Sequence, residues 1–163
     1  MIDSERMQDE AVGILRDLIR IDSTNDGTLD TVGEAEVAEY VSASLSEAGY
    51  DCERFQTGPR REGVLLTVPG SDPAAAPLVL HGHLDVVPAD PKDWTVPPFG
   101  AEVHDGMVWG RGAVDMKDTD AVMIAVLREW SRARIAPRRT LQVVFTPDEE
   151  AGGQHGALWL VHN

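Results

Sequence analysis

The stretch that most constrains this chain is Pro77–Pro88, PLVLHGHLDVVP. Leu78-Val79-Leu80 is short, apolar and opened by Pro77, which is the pattern of a buried strand. It runs into His81, His83 and Asp85. Side chains alternate along a strand, so these three would share one face if the strand continued that far. Imidazoles and a carboxylate at the end of a buried strand are costly unless something uses them. A metal ion is one such user, since imidazole supplies a neutral nitrogen ligand and a nearby carboxylate can orient it. A histidine satisfied within a hydrogen-bond network is the ordinary alternative, and this stretch alone leaves both open.

The rest of the chain alternates helical and strand patterns. A helix is expected over Ser4–Arg20, where Ala11, Leu15, Leu18 and Ile19 recur at helical spacing with Ile14 beside them. Asp22–Asp30 reads as a polar loop. Thr31 and Glu34 fit a T-x-x-E capping box for a second helix, whose stripe is Val37, Val41, Leu45 and Ala48 and whose stop is Gly49. Both helices are read as packing layers without chemistry. Tyr50–Phe55 and Gly63–Val68 are strand candidates around a turn-rich segment, Thr57–Glu62. Asp105-Gly106 between two β-type runs signals a hairpin. Asp118–Arg134 is a strongly apolar helix, expected to be buried against a sheet, and Thr140–Thr146 is a buried strand. A last helix begins at Gly156. The alternation indicates an α/β fold, with a mixed, mainly parallel sheet flanked by helices.

Length and composition narrow the classes. The 163 residues suggest one domain, and a 42% hydrophobic fraction is enough for a core. Acidic residues outnumber basic ones 28 to 14, which argues against nucleic acid or an anionic membrane as the main partner. Cys52 is the only cysteine, so no disulfide can form within the chain, and a cytoplasmic setting fits. The first ten residues, MIDSERMQDE, lack the apolar core of a secretory signal. No apolar run is long enough to span a membrane.

Ligands in open α/β sheets bind beyond the carboxyl ends of the strands. Three polar clusters fall at such places: His81/His83/Asp85, then Asp115, then Asp148/Glu149/Glu150. His83, Asp115 and Glu150 would supply a nitrogen-and-oxygen set suited to catalytic zinc, which leaves a position open for water. A bound zinc ion brings the pKa of water to about 7, and a carboxylate nearby can move the released proton. In an extended segment adjacent glutamates point opposite ways, so one could bind metal while the other faces substrate. Two solvated acids in a surface loop are the plainer reading of Glu149-Glu150 taken by itself.

HGHLDVVP, GRGAVDMK and PDEEAGG, in this order and spacing, resemble the aminoacylase, acetylornithine deacetylase, succinyl-diaminopimelate desuccinylase and glutamate carboxypeptidase family of two-zinc hydrolases, metallopeptidase family twenty. The resemblance extends to WTVPPFG and the Asp-Gly hairpin before GRG. It implies that His83 is a ligand to one metal and that Asp85 orients His83. It implies further that Asp115 bridges two metals, that Glu149 is the general base and that Glu150 is a ligand to the other metal. A non-proline cis peptide is expected at Asp115–Met116. His81 becomes a supporting residue. The implied cofactor is Zn2+, two per complete site, with Co2+ or Mn2+ also suited. The implied substrate is an N-acyl amino acid or short peptide with a free carboxylate, and full-length relatives are often homodimers.

Two departures stand out. Pro147 occupies a position where relatives usually have a small residue. Family members are also several hundred residues long, with a later acidic ligand, a final histidine and a lid and dimerisation domain. The chain is therefore expected to be the N-terminal part of the catalytic domain, inactive alone, with an apolar edge where more sheet should pack. A complete site within it would need further ligands from His81, His104, Asp148 or His155. A non-catalytic binding or regulatory derivative is the alternative function.

Other motif readings fit less well. GRGAVD lacks the third glycine of a dinucleotide fingerprint, because Asp115 stands there. A metallo-β-lactamase-like site would want a histidine after Asp85, where the chain has Val86. An amidohydrolase barrel needs more residues than this chain has.

Overall fold

The computed structural model describes residues 2–28 and 30–163; Met1 and Leu29, the latter within the expected loop 22–30, lie outside the described residues. The elements are α1 (Ser4–Arg20), α2 (Ala35–Glu47), β1 (Cys52–Gly58), β2 (Arg61–Val68), β3 (Leu78–His83), β4 (Glu102–His104), β5 (Met107–Trp109), α3 (Lys117–Ala133), β6 (Leu141–Thr146) and α4 (Ala157–His162). Four strands form one sheet in the order β1-β2-β6-β3, and β4 and β5 form a separate hairpin. The sheet is mixed: β1–β2 and β2–β6 pair antiparallel, and β3–β6 pair parallel.

Register follows the hydrophobic pattern. Val64, Leu66 and Val68 of β2 pair with Phe145, Val143 and Leu141 of β6, and all six are buried. Such alternation commits one face of each strand to the core. Ile14 and Leu18 of α1, Val37, Val41 and Leu45 of α2, and Ile124 and Leu127 of α3 pack against that face. The α1 helix spans the predicted residues, with the Asp3 side chain accepting the Arg6 backbone N–H at its start. The α3 helix is buried along Ala121, Ile124, Ala125 and Leu127, while Val122 is exposed.

Two local expectations change. Glu34 does not close a capping box on Thr31: it makes no capping hydrogen bond. Its carboxylate instead accepts Arg61 Nη1 at 2.6 Å, and the Thr31 hydroxyl donates to Thr24 O at 2.5 Å. A buried guanidinium is a stronger partner for a carboxylate than a backbone N–H. Thr57–Glu62 is mostly strand, because Gly58 pairs with Arg61 and the turn between them is tight. At the Asp105-Gly106 turn both residues have positive φ (52° and 76°), and the hairpin forms as the dipeptide predicts.

Two features bring the polar clusters together. Parallel pairing of β3 with β6 sets their carboxyl ends side by side, with His83 opposite Thr146. Alternation then turns Gly82 toward α3, where a side chain would collide with Asp120. This close approach places the start of α3, and Asp115 just before it, beside the end of β3. The Lys117 ammonium, wholly buried, donates to Leu18 O at 2.8 Å and Ile21 O at 2.9 Å, tying the start of α3 to the carbonyl end of α1.

Candidate metal centre

His83 is the last residue of β3 and is buried. Its Nδ1 lies 3.1 Å from Asp85 O and 3.5 Å from Asp85 Oδ1. An acceptor at Nδ1 favours the tautomer that leaves Nε2 with a free lone pair. That Nε2 lies 3.0 Å from Asp115 Oδ1 and 3.7 Å from Glu149 Oε2. One ligand atom from each of His83, Asp115 and Glu150 falls within 4.8 Å of the others. Among the described residues, no other group of three His, Cys, Asp or Glu side chains comes together in this way. The peptide bond Asp115–Met116 is cis, as the resemblance implied.

Asp85 does more than face the imidazole. Its Oδ1 accepts the Glu149 backbone N–H at 3.0 Å, and its Oδ2 accepts the Glu150 backbone N–H at 3.0 Å. One carboxylate thus fixes the turn that carries both glutamates. The turn itself is tight: Asp148 has φ 68°, and Gly152 donates to Glu149 O at 3.0 Å.

The electrostatics favour a cation here. Burial pulls the His83 imidazole down, but the Asp85 hydrogen bond and charge, with Asp115, raise it to about 9. Burial raises the Glu150 carboxyl, and Asp115, Asp85 and Glu149 raise it further against the opposing pull of His83. Burial also works against ionisation of Asp85, but His83, Asn25 and the two backbone N–H groups hold it below the usual carboxylate range. Surroundings that favour a proton on Nε2 also favour a positive ion beside it. One imidazole nitrogen and two carboxylates are a donor set that suits a divalent metal.

The remaining histidines are engaged elsewhere. His81 Nε2 lies 2.9 Å from Thr146 Oγ1, on the exposed edge of β3. His104 faces Glu102 on the β4–β5 hairpin. His155 Nδ1 lies 3.1 Å from Thr57 O. Asp148 turns away from the cluster, accepting Asn25 Nδ2 at 3.1 Å and the His155 backbone N–H at 2.9 Å. None of these four joins the His83, Asp115 and Glu150 group. A cleft of about 340 Å³ opens beside it, lined by Asn25, Asp26, Gly27, Val87, Pro88 and Glu150, with Ala151.

Sequence reasoning missed Asn25, Arg61 and Glu34 as neighbours of this site. Asn25 lies in a loop, Arg61 opens β2 and Glu34 precedes α2; no local pattern ties them to the site, and only the fold brings them behind Asp85.

Residues 79–163 match the family model described as Peptidase family M20/M25/M40. The chain belongs to this family. It is 36% identical over 155 residues to a succinyl-diaminopimelate desuccinylase 2 from Ruegeria sp. (strain TM1040), covering 93% of this chain and 36% of that protein. It is 36% identical over 121 residues to aminoacylase-1 from Sus scrofa, covering 72% of this chain and 29% of that protein. Among solved structures, human carnosine dipeptidase 1 superposes with a TM-score of 0.80 at 25% identity, over 94% of this chain and 35% of that one. An M20 metallo-carboxypeptidase from Sulfolobus solfataricus gives 0.74 at 20% identity, over 88% and 32%. The chain therefore spans about a third of the length of the M20 relatives it matches. No helix among the described residues is long and apolar enough to cross a membrane.

Proposed function

We propose that this chain is the N-terminal part of the catalytic domain of a zinc-dependent hydrolase that cleaves an amide bond in an N-acyl amino acid or short peptide bearing a free carboxylate. The convergence of His83, Asp115 and Glu150 within 4.8 Å, with Glu149 beside them, carries this reading. The names of the relatives, a desuccinylase, an aminoacylase and a dipeptidase, support the substrate class.

In this reading His83 Nε2, Asp115 and Glu150 would hold the metal. A bound divalent ion supplies a water of lowered pKa and polarises the substrate carbonyl. Asp85 keeps His83 in the tautomer that presents Nε2 and holds the glutamate turn in place. Glu149, about half exposed, faces the open side of the cluster. Its carboxylate takes a proton from water as the oxygen adds to the carbonyl carbon. It then gives that proton to the departing amine nitrogen as the C–N bond breaks. The products are a carboxylate and a free amine.

The test is metal-dependent release of amine from N-acyl amino acids and dipeptides by the zinc-loaded polypeptide that carries this sequence. Glu149→Gln is expected to lower kcat at least ~100-fold, the lower bound for losing a general base, with metal still bound. Turnover retained in that variant would remove Glu149 from the role.

A further inference from the structure

Behind the candidate metal centre lies a buried polar web in which, of its five members, the proposed reaction uses only Asp85. Asn25, Arg61, Glu34, Asp85 and Asp148 are each at most 5% exposed. Glu34 and Asp148 share the Arg61 guanidinium, at 2.6 and 3.9 Å, while Asp85 faces His83. Buried charges of this kind are expensive, and an apolar core would be cheaper unless the web has a task.

Asn25 sits at its centre. Its backbone runs beside the segment that carries Asp85: Asn25 N–H donates to Val86 O at 2.9 Å, and Val86 N–H donates to Ser23 O at 3.2 Å. Its carboxamide is fully used. Oδ1 accepts Arg61 Nη2 at 2.6 Å and the Gly27 N–H at 3.0 Å. Nδ2 donates to Asp85 Oδ2 at 2.9 Å and to Asp148 Oδ1 at 3.1 Å. Only donors face the oxygen and only acceptors face the nitrogen, so the amide has one allowed orientation. Arg61 is in turn fixed by Glu34 Oε1 at 2.6 Å and by Thr28 O at 3.1 Å. The NH2 group bridges two carboxylates on either side of the turn in the chain of contacts: Asp85, which accepts the backbone N–H of Glu149 and Glu150, and Asp148, the residue before them.

We propose that Asn25 is a positioning residue: its carboxamide, locked by Arg61, joins Asp85 to Asp148 and so holds the Glu149–Glu150 turn against His83. The bearing on metal binding rests on the function proposed above; the effect on the turn stands apart from it. An aspartate at position 25 has the same shape but replaces the donor with a third carboxylate oxygen, so the clamp becomes a repulsion.

The experiment measures backbone hydrogen exchange and zinc affinity on the 163-residue chain, for wild type, Asn25→Asp and Asn25→Ala. The alanine variant removes the carboxamide without adding charge, and serves if the aspartate variant does not fold. Exchange at the Glu149 and Glu150 amides is expected to rise ~10-fold or more, with β2 and β6 amides unchanged, since a charge-assisted hydrogen bond is lost only locally. Zinc affinity is expected to fall ~10–100-fold, as for loss of a group that orients metal ligands. Wild-type protection at Glu149 and Glu150 in the variants would overturn the proposal. So would a uniform loss of protection across β2, β6 and the turn, which marks Asn25 as a general strut. Zinc binding that His83→Ala leaves unchanged would instead count against the metal-site reading, while the exchange result still decides the role of Asn25.

Discussion

Asp85 Oδ2 accepts the backbone N–H of Glu150 at 3.0 Å, joining residues 65 apart in the chain. With the matching bond from Glu149 to Oδ1, the carboxylate that faces His83 also fixes the turn carrying a candidate ligand and a candidate base. Asp85→Asn keeps the shape but puts an NH2 group where donors now point. We expect zinc affinity to fall ~10–100-fold. Calorimetric titration of the two chains with zinc checks this, and equal affinities would contradict it.

The roles of Asp85 show how much the sequence made legible. Helical and strand patterns located α1, α3, β2 and β6 within a residue or two, because each buries an apolar face; β3 also forms, but the expectation that Leu78-Val79-Leu80 is buried fails, since β3 is an edge strand and Leu78 and Val79 are exposed. His83 and Glu150 were legible because they lie at or just after the carboxyl ends of β3 and β6, where α/β folds place ligands, whereas Asp115 lies in the turn before α3 and not at a strand end. Glu34 was misread as half of a capping box, since its true partner, Arg61, lies 27 residues away. Asn25 looked like ordinary loop polarity. Its significance depends on the Thr24–Val86 bridge and on Arg61 arriving from the β1–β2 hairpin, and no local pattern encodes either contact.

Glu34 gives a pH signature. Burial raises its carboxyl to about 7, against the charge of Arg61, and its Oε2 has no hydrogen-bond partner. A carboxyl raised in the folded state stabilises the fold fully below its unfolded pKa of about 4.3 and loses that contribution as pH rises through about 7. Urea unfolding from pH 4.5 to 7.5 should therefore show wild type losing stability relative to Glu34→Gln as pH rises. Parallel curves for the two chains would refute this.

The β3 edge predicts association. Among the described strands β3 has a single neighbour, β6, and its Leu78 and Val79 are 44% and 55% exposed. Leu78, Leu80, Val122, Val126 and Trp130 line an apolar groove of about 230 Å³ beside it. An uncovered apolar edge recruits further strands. The 163-residue chain should show concentration-dependent mass growth by light scattering, reduced by Val79→Lys, because an edge lysine disfavours strand addition. A clean monomer at high concentration would count against an open edge.

The decisive measurement is zinc stoichiometry after loading and desalting. The wild-type 163-residue chain is expected to retain zinc through His83, Asp115 and Glu150, and His83→Ala and Glu150→Ala each to lose it while remaining folded. Zinc absent from the wild type, or held equally by both variants, would contradict the metal centre described here.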